Sequence, residues 1–106
     1  MRAASLAQVP TTNGSKYLQQ LCKHWKHNLA VDFDASRGTI VFPRDARGAE
    51  WAGDATVTLT AHAASLECRI DAREPGQLEA LKDALAQHLD RFAFREAPLT
   101  FDWQNA

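Results

Sequence analysis

Histidines, arginines and carboxylates, the residues used most often for binding and catalysis, concentrate in two short stretches of this sequence. Residues 23–27 read Lys-His-Trp-Lys-His, and residues 88–96 read His-Leu-Asp-Arg-Phe-Ala-Phe-Arg-Glu. His24 and His27 are three apart, so on a helix their imidazoles are close enough to bind one metal ion. The other interpretation is that these cationic side chains simply suit the negative C-terminal end of a helix.

His88 is predicted to lie at the edge of the apolar stripe of its own helix, one turn before Phe92. A partly buried imidazole needs a hydrogen-bond partner, which a backbone carbonyl or a carboxylate would supply. The alternative is that His88 faces His24 across two packed helices and lines a small pocket with Tyr17.

Arg91 and Arg95 are four apart on one side of the second helix, so their guanidiniums are placed to clamp one carboxylate or phosphate. The alternative is that Arg95 pairs with a nearby acid while its stem packs on an aromatic ring. The sequence therefore predicts a ligand site formed by six residues: Tyr17, His24, His88, Arg91, Arg95 and Glu96.

Two amphipathic helices must position these groups. The first is predicted from Ser15 to His27, with Asn13 or Ser15 as its N-cap. Its apolar residues recur at helical spacing: Leu18, Leu21, Cys22 and Trp25. The second is predicted to begin at Pro75 and to run to about Arg95. Its core stripe comprises Leu78, Leu81, Leu85, Leu89 and Phe92.

Apolar residues that alternate with polar ones predict the strands between and around the helices. The expected strands cover residues 3–11 (at a sheet edge, closed by Pro10), 29–33, 39–42, 56–63 and 66–73, with a short one near 50–52. Leu99, Phe101 and Trp103 predict a last strand. Gly38 is placed in the hairpin turn, where a positive φ is expected.

These elements predict a single α+β domain over residues 1–106, in the order β-α-β-β-β-β-α with a possible C-terminal strand. Both helices would cover one face of an antiparallel sheet, which makes a two-layer sandwich. The element order is typical of TATA-binding-protein-like or helix-grip folds, and such a fold carries no function with it.

Composition narrows the class of protein. Twelve Lys and Arg against 13 Asp and Glu give a formal charge of -1, which argues against nucleic acid as a partner. No apolar run approaches the roughly 20 residues that span a bilayer, and no signal peptide is evident, so we expect a cytoplasmic protein without a membrane partner. Cys22 and Cys68 are interpreted as buried small hydrophobes.

The usual catalytic signatures are missing from the sequence. It contains no nucleophile elbow, P-loop, dinucleotide fingerprint, CxxC or HExxH. Nothing in it therefore requires an enzyme, and no cofactor is assigned.

Three segments carry a resemblance to a known family: residues 17–25, which include Leu-Cys-Lys-His-Trp, residues 38–42, and residues 88–96, followed by Trp103. Together they resemble the bacterial domain-of-unknown-function family 2218 over nearly the whole chain. The resemblance implies a small cytoplasmic bacterial protein. It also implies an association with siderophore-interacting flavin reductases, and so with iron handling. The family's characteristic residues would be Leu21, Cys22, His24, His88, Arg91, Phe92, Glu96 and Trp103.

Three hypotheses of function follow. The first is an accessory domain that binds a small ligand, connected with iron or siderophore metabolism and with a siderophore-interacting reductase as partner. The second is a homodimerisation module without a ligand, in which Trp51, Trp103 or the open face of the sheet is buried. The third is a metal-dependent enzyme that uses His24 and His27.

Overall fold

The computed structural model describes residues 3–106, which form two helices and six strands. In chain order these are β1 (Ala3–Pro10), α1 (Gly14–Trp25), β2 (Ala30–Phe33), β3 (Arg37–Phe42), β4 (Ala55–Ala61), β5 (Ser65–Ala72), α2 (Pro75–Phe92) and β6 (Gln104–Asn105). A 3-10 turn at Ala46–Gly48 lies in the loop between β3 and β4. Neither described helix is long and apolar enough to cross a membrane.

The strands form one antiparallel sheet in the order β2-β3-β4-β5-β1-β6. Both helices pack on the same face, where every second residue of the central strands is buried. On the other face the alternate residues of β4 and β5 stay half-buried and are largely threonines and charges. This arrangement confirms the predicted two-layer α+β sandwich, because sheets with one open face show this alternation.

The predicted positions of the first and last strands were wrong. β1 is not an edge strand, because it pairs along its length with β5 and also, at Ser5 and Leu6, with β6. β6 itself is only Gln104–Asn105. Leu99 and the rings of Phe101 and Trp103 alternate in sequence, but they pack on the core instead of forming a ladder. The two rings stack 5.8 Å apart.

Several predicted boundaries were too long. α1 ends at Trp25, whose carbonyl accepts the next turn's hydrogen bonds from Asn28 and Leu29. α2 ends at Phe92, and residues 93–97 form a separate turn. No strand forms at residues 50–52, because the Trp51 amide donates to Arg44 across its own loop.

Two further local predictions were also corrected. Ala63 lies beyond the end of β4 and is exposed. Neither proposed cap acts as one: Asn13 takes the N-cap position of α1 without a capping side-chain bond, and the Ser15 hydroxyl donates to the carbonyl of Ala35.

Gly38 is needed for close packing and not for a turn. It lies inside β3, paired with Phe33 and Leu59, and the one glycine with a positive φ among residues 3–106 is Gly48. A Cβ at residue 38 would lie 2.6 Å from the Sγ of Cys22, which is buried on α1. Glycine therefore lets α1 approach the sheet at this point.

We expect Gly38→Ala to lower the free energy of unfolding by about 1–3 kcal/mol, because the added methyl overpacks the contact with Cys22. The double variant Gly38→Ala/Cys22→Ala removes the opposing sulfur and should be more stable than Gly38→Ala alone. Urea denaturation of the wild type, Gly38→Ala, Cys22→Ala and the double variant measures this coupling. Equal stability of the wild type and Gly38→Ala would contradict the close-approach argument.

The carboxylate of Glu96, in the turn after α2, ties that turn to the beginning of α1. Thr11 Oγ1 donates to its two oxygens over 2.9 and 3.1 Å, and Asn13 Nδ2 donates over 3.1 Å. The hydroxyl of Tyr17 donates to Glu96 as well. We call these four residues the Glu96 clasp. The clasp holds the two helices side by side, and therefore positions the groups that they present to each other.

The clasp makes stability depend on pH. The Tyr17 hydroxyl bond, with those of Asn13 and Thr11, lowers the pKa of Glu96, while the bond to Glu96 and burial raise the pKa of Tyr17. Because the pKa of Glu96 is lower in the folded chain than in the unfolded chain, this carboxylate stabilises the fold at pH values above its unfolded pKa. The stabilisation is lost as the pH falls through the folded pKa. The raised pKa of Tyr17 acts at alkaline pH, because its contribution to stability is lost as the pH rises through the folded pKa of Tyr17.

We therefore expect Glu96→Gln to destabilise the chain most at neutral pH. The difference from the wild type in free energy of unfolding should shrink as the pH falls through the folded pKa of Glu96. Urea denaturation at a series of pH values measures it, with Glu50→Gln, a change at an exposed loop carboxylate, as the matched control. A difference that stays constant from acid to neutral pH would show that the carboxylate charge has no such role.

Candidate functional site

The rings of His24 and His88 lie next to each other where α1 packs against α2. Their ring centroids are 5.3 Å apart, at an interplanar angle of 44°. His88 also lies 4.9 Å from the ring of Trp25, and His24 lies 5.9 Å from the ring of Phe92. His24 is exposed and His88 is half-buried, so the pair extends from the protein surface towards the core.

The His88 ring is oriented by its own helix. Its Nδ1 lies 2.7 Å from the carbonyl oxygen of Ala84, one turn earlier. Because a carbonyl oxygen only accepts, Nδ1 must donate, which in the neutral ring leaves Nε2 as the unprotonated nitrogen. This is the backbone bond expected for a core histidine. The same ring also faces His24, as the alternative interpretation of the sequence predicted.

A cleft of about 370 Å³ opens beside the two imidazoles. We call it the histidine cleft. Its walls come from the end of α1 and the following turn, the end of β3, the 3-10 loop and α2. They comprise His24, Trp25, Asn28, Leu29, Phe42, Pro43, Ala46 and His88.

The described residues that line the histidine cleft offer few polar groups. They include no Asp, Glu, Lys or Arg, and their polar groups include two imidazoles and the amide of Asn28. Part of the lining is aromatic, since Trp25 meets Phe42 edge to face at 5.0 Å and 84°. The cleft therefore combines a few hydrogen-bonding groups with apolar surface.

Tyr17 and Glu96 belong to the Glu96 clasp, and neither lines the histidine cleft. Tyr17 is two turns before His24 on α1, at the opposite end of the helix contact. Arg91 and Arg95 are exposed, and the guanidinium of Arg95 lies 5.7 Å from the ring centroid of Phe94. Of the six predicted residues, the structure thus brings His24 and His88 together in the cleft and places the other four outside it.

His27 lies beyond the end of α1 and is exposed. The ring contacts found in residues 3–106 involve His24 and His88 but not His27. Within that range, no three His, Cys, Asp or Glu side chains are grouped so that they could hold a metal ion. A metal pair formed by His24 and His27 stays a prediction.

The two cysteines are buried and unbridged, as the sequence predicted. Burial raises the pKa of the Cys22 thiol to about 11, and burial is also the main cause that raises the pKa of Cys68. Both are therefore thiols at neutral pH, which is the opposite of an activated nucleophile.

Sequence reasoning missed most of the cleft wall. The sequence pattern assigns Trp25 only to the apolar stripe of the first helix and Phe42 only to the end of a strand. It gives no indication that Asn28, Pro43 or Ala46 lies beside them. The available signal was the position of each at the end of an element, since pockets form where several elements end together.

The comparisons with known proteins give a family and a similar fold, and none of them gives an activity. Residues 6–104 match the family described as "Uncharacterized protein conserved in bacteria (DUF2218)". The fold is similar to the NMR structure of PA4090 from Pseudomonas aeruginosa, with 27% identity and a TM-score of 0.68, over 97% of this chain and 94% of that chain. No curated protein matches the sequence. Since the family match covers nearly the whole chain, this protein belongs to the DUF2218 family of bacterial proteins.

Proposed function

We propose that this domain is an accessory module that binds a small molecule in the histidine cleft. The observation that carries the proposal is the contact between His24 and His88, whose ring centroids are 5.3 Å apart at the wall of a cleft of about 370 Å³. Two imidazoles supply a donor or an acceptor according to their protonation, so one ligand group would find a matched partner there.

The size and the lining of the cleft support binding over a purely structural role. Pockets for small molecules are typically a few hundred Å³, mostly apolar, with a few polar groups that fix orientation. The histidine cleft has this character, with Trp25, Leu29 and Phe42 as apolar wall and Asn28 as an additional polar group.

The cleft is built on packed elements. Trp25 is only 5% exposed and its ring is held between Phe42 and His88. The His88 ring is fixed by its bond to Ala84. A ligand would therefore meet an ordered wall and would not have to order it on binding.

The resemblance to the family suggests the first probes and a partner. An iron or siderophore connection places ferric siderophores among the probes to screen, and a siderophore-interacting flavin reductase is the enzyme that we propose the module accompanies. The proposed site consists of His24 and His88, while Arg91 and Arg95 remain candidates for contacts with the part of a ligand that extends outside the cleft.

We expect a thermal-shift screen with ferric siderophores, flavins, haem, divalent metals and small carboxylates to find a ligand that raises the melting temperature. His24→Ala should abolish that rise, while the matched control His27→Ala, at the same exposed end of α1, should leave it intact. At a hundredfold excess of ligand over its Kd, binding stabilises by about 2.7 kcal/mol, well within the range of the measurement.

Equal ligand responses of wild type, His24→Ala and His27→Ala would contradict the proposed site. A response to metal alone that His27→Ala abolishes would instead favour the metal pair. If no probe binds and light scattering at micromolar concentration gives twice the mass of the chain, the homodimerisation module becomes the better account, with the open face of the sheet as its interface.

A further inference from the structure

A second cavity, of about 140 Å³, lies next to the histidine cleft. We call it the apolar cavity. It lies between α2 and the loop that follows β3, and it is lined by Phe42, Pro43, Ala46, Ala49, Trp51, Gln77, Ala80, Leu81 and Ala84. None of these side chains is charged.

Gln77 is the one amide side chain among the described residues that line the apolar cavity, and the protein already uses its hydrogen-bonding groups. Gln77 is 2% exposed, its Oε1 accepts from the amide of Arg73, and its Nε2 donates to the carbonyl of Gly53. It therefore has little capacity left for a ligand, and the cavity offers a ligand apolar surface.

The two cavities have lining residues in common. Phe42, Pro43 and Ala46 line both of them. On the α2 side, Leu81 belongs to the apolar cavity and His88 to the histidine cleft, seven residues further along the helix. At 1.5 Å per residue, these two positions are about 10 Å apart.

We propose that the two cavities together bind one amphipathic monocarboxylate, with its carboxylate at His24 and His88 and its apolar body directed towards Trp51. This inference rests on the proposed function, since it names the chemical class of the ligand in that same cleft. A chain of roughly eight carbons, such as octanoate, spans the about 10 Å between the two positions.

The charge of the lining selects an acid over a base. No Asp or Glu is among the described residues that line either cavity, so a ligand ammonium would lose its hydration without gaining a counter-charge from them. A carboxylate would instead meet the His24 imidazole and the amide of Asn28, which are able to donate hydrogen bonds, and the ring of His88, whose Nε2 donates when the ring is protonated. Lys23 adds positive charge in the last turn of α1.

The three tryptophans of the chain make the proposal directly measurable. Trp25 lines the histidine cleft, Trp51 lines the apolar cavity, and Trp103 stacks on Phe101 and lines neither. Their indole N–H signals in a ¹⁵N-resolved NMR spectrum, assigned with Trp→Phe variants, report the two cavities and an internal control. Butanoate, octanoate and neutral octanol are the ligands to titrate.

We expect octanoate to shift the Trp25 and Trp51 signals together with one Kd, while Trp103 does not move. Butanoate should shift Trp25 alone and bind more weakly, by roughly fourfold in Kd for each CH₂ that octanoate buries in addition. Octanol should bind at least tenfold more weakly than octanoate, because it lacks the charge.

Ala80→Leu tests the apolar cavity separately. Ala80 is exposed on α2 and lines that cavity, so leucine at this position fills the cavity. Leucine is also a good helix former, and the change leaves the buried core residues as they are. We expect Ala80→Leu to raise the Kd of octanoate about tenfold and to leave the Kd of butanoate unchanged. Gln87→Leu, at an exposed α2 position outside both linings, is the matched control and should change neither.

The outcomes separate this inference from the proposed function. If octanoate and butanoate bind equally and shift only Trp25, the two-cavity ligand is wrong although the histidine cleft still binds. If octanol binds as well as octanoate, the carboxylate preference is wrong. If neither acid moves Trp25 while a ligand from the thermal screen does, the cleft is a site for another chemical class and the inference fails alone.

Discussion

The packing of α1 against α2 on one face of the sheet is the constraint on which the candidate site depends. His24 and His88 are 64 positions apart in the chain, and they meet because both helices are held at fixed positions over the strands. Gly38 lets α1 approach β3, and the Glu96 clasp joins the beginning of α1 to the turn after α2. Loss of either contact would change the distance between the imidazoles without altering a single cleft residue.

His88 is a costly choice if its role is only structural. An apolar side chain between Trp25 and His24 would fill the same space without a polar ring that has to be hydrogen-bonded. The chain keeps the imidazole and satisfies Nδ1 with the carbonyl of Ala84. Natural proteins depart from such local rules most often at functional sites, which is consistent with the proposal that this face binds a ligand.

The sequence predicts the fold well because the spacing of its apolar residues matches the positions that are buried in the structure. Strict alternation in β4 and β5 and helical spacing from Leu18 to Trp25 identify the layers, and the similar fold of PA4090 supports the same interpretation. The terminal strand was misplaced because Leu99, Phe101 and Trp103 alternate for packing, which a pattern of side chains does not distinguish from pairing. Gly38 was misjudged for a similar reason, since the close approach of Cys22 comes from a distant part of the chain.

The candidate site was only partly predictable, because its walls come from the ends of several elements. Helical angles place His88 at the edge of the apolar stripe and leave a contact with His24 as an alternative, and the structure has the two rings in contact. They gave no means to place Phe42, Pro43 and Ala46 beside these rings, since a strand end and a loop meet α2 only in the folded chain. The role of Glu96 was equally hidden, because its partners Thr11, Asn13 and Tyr17 precede it by about 80 residues.

A crystal structure of the chain grown with octanoate tests the central claim most directly. The account predicts the carboxylate within hydrogen-bonding distance of the His24 or His88 imidazole, with the alkyl chain running along α2 towards Trp51. Octanoate bound elsewhere on the surface, with the histidine cleft empty at saturating concentration, would contradict it.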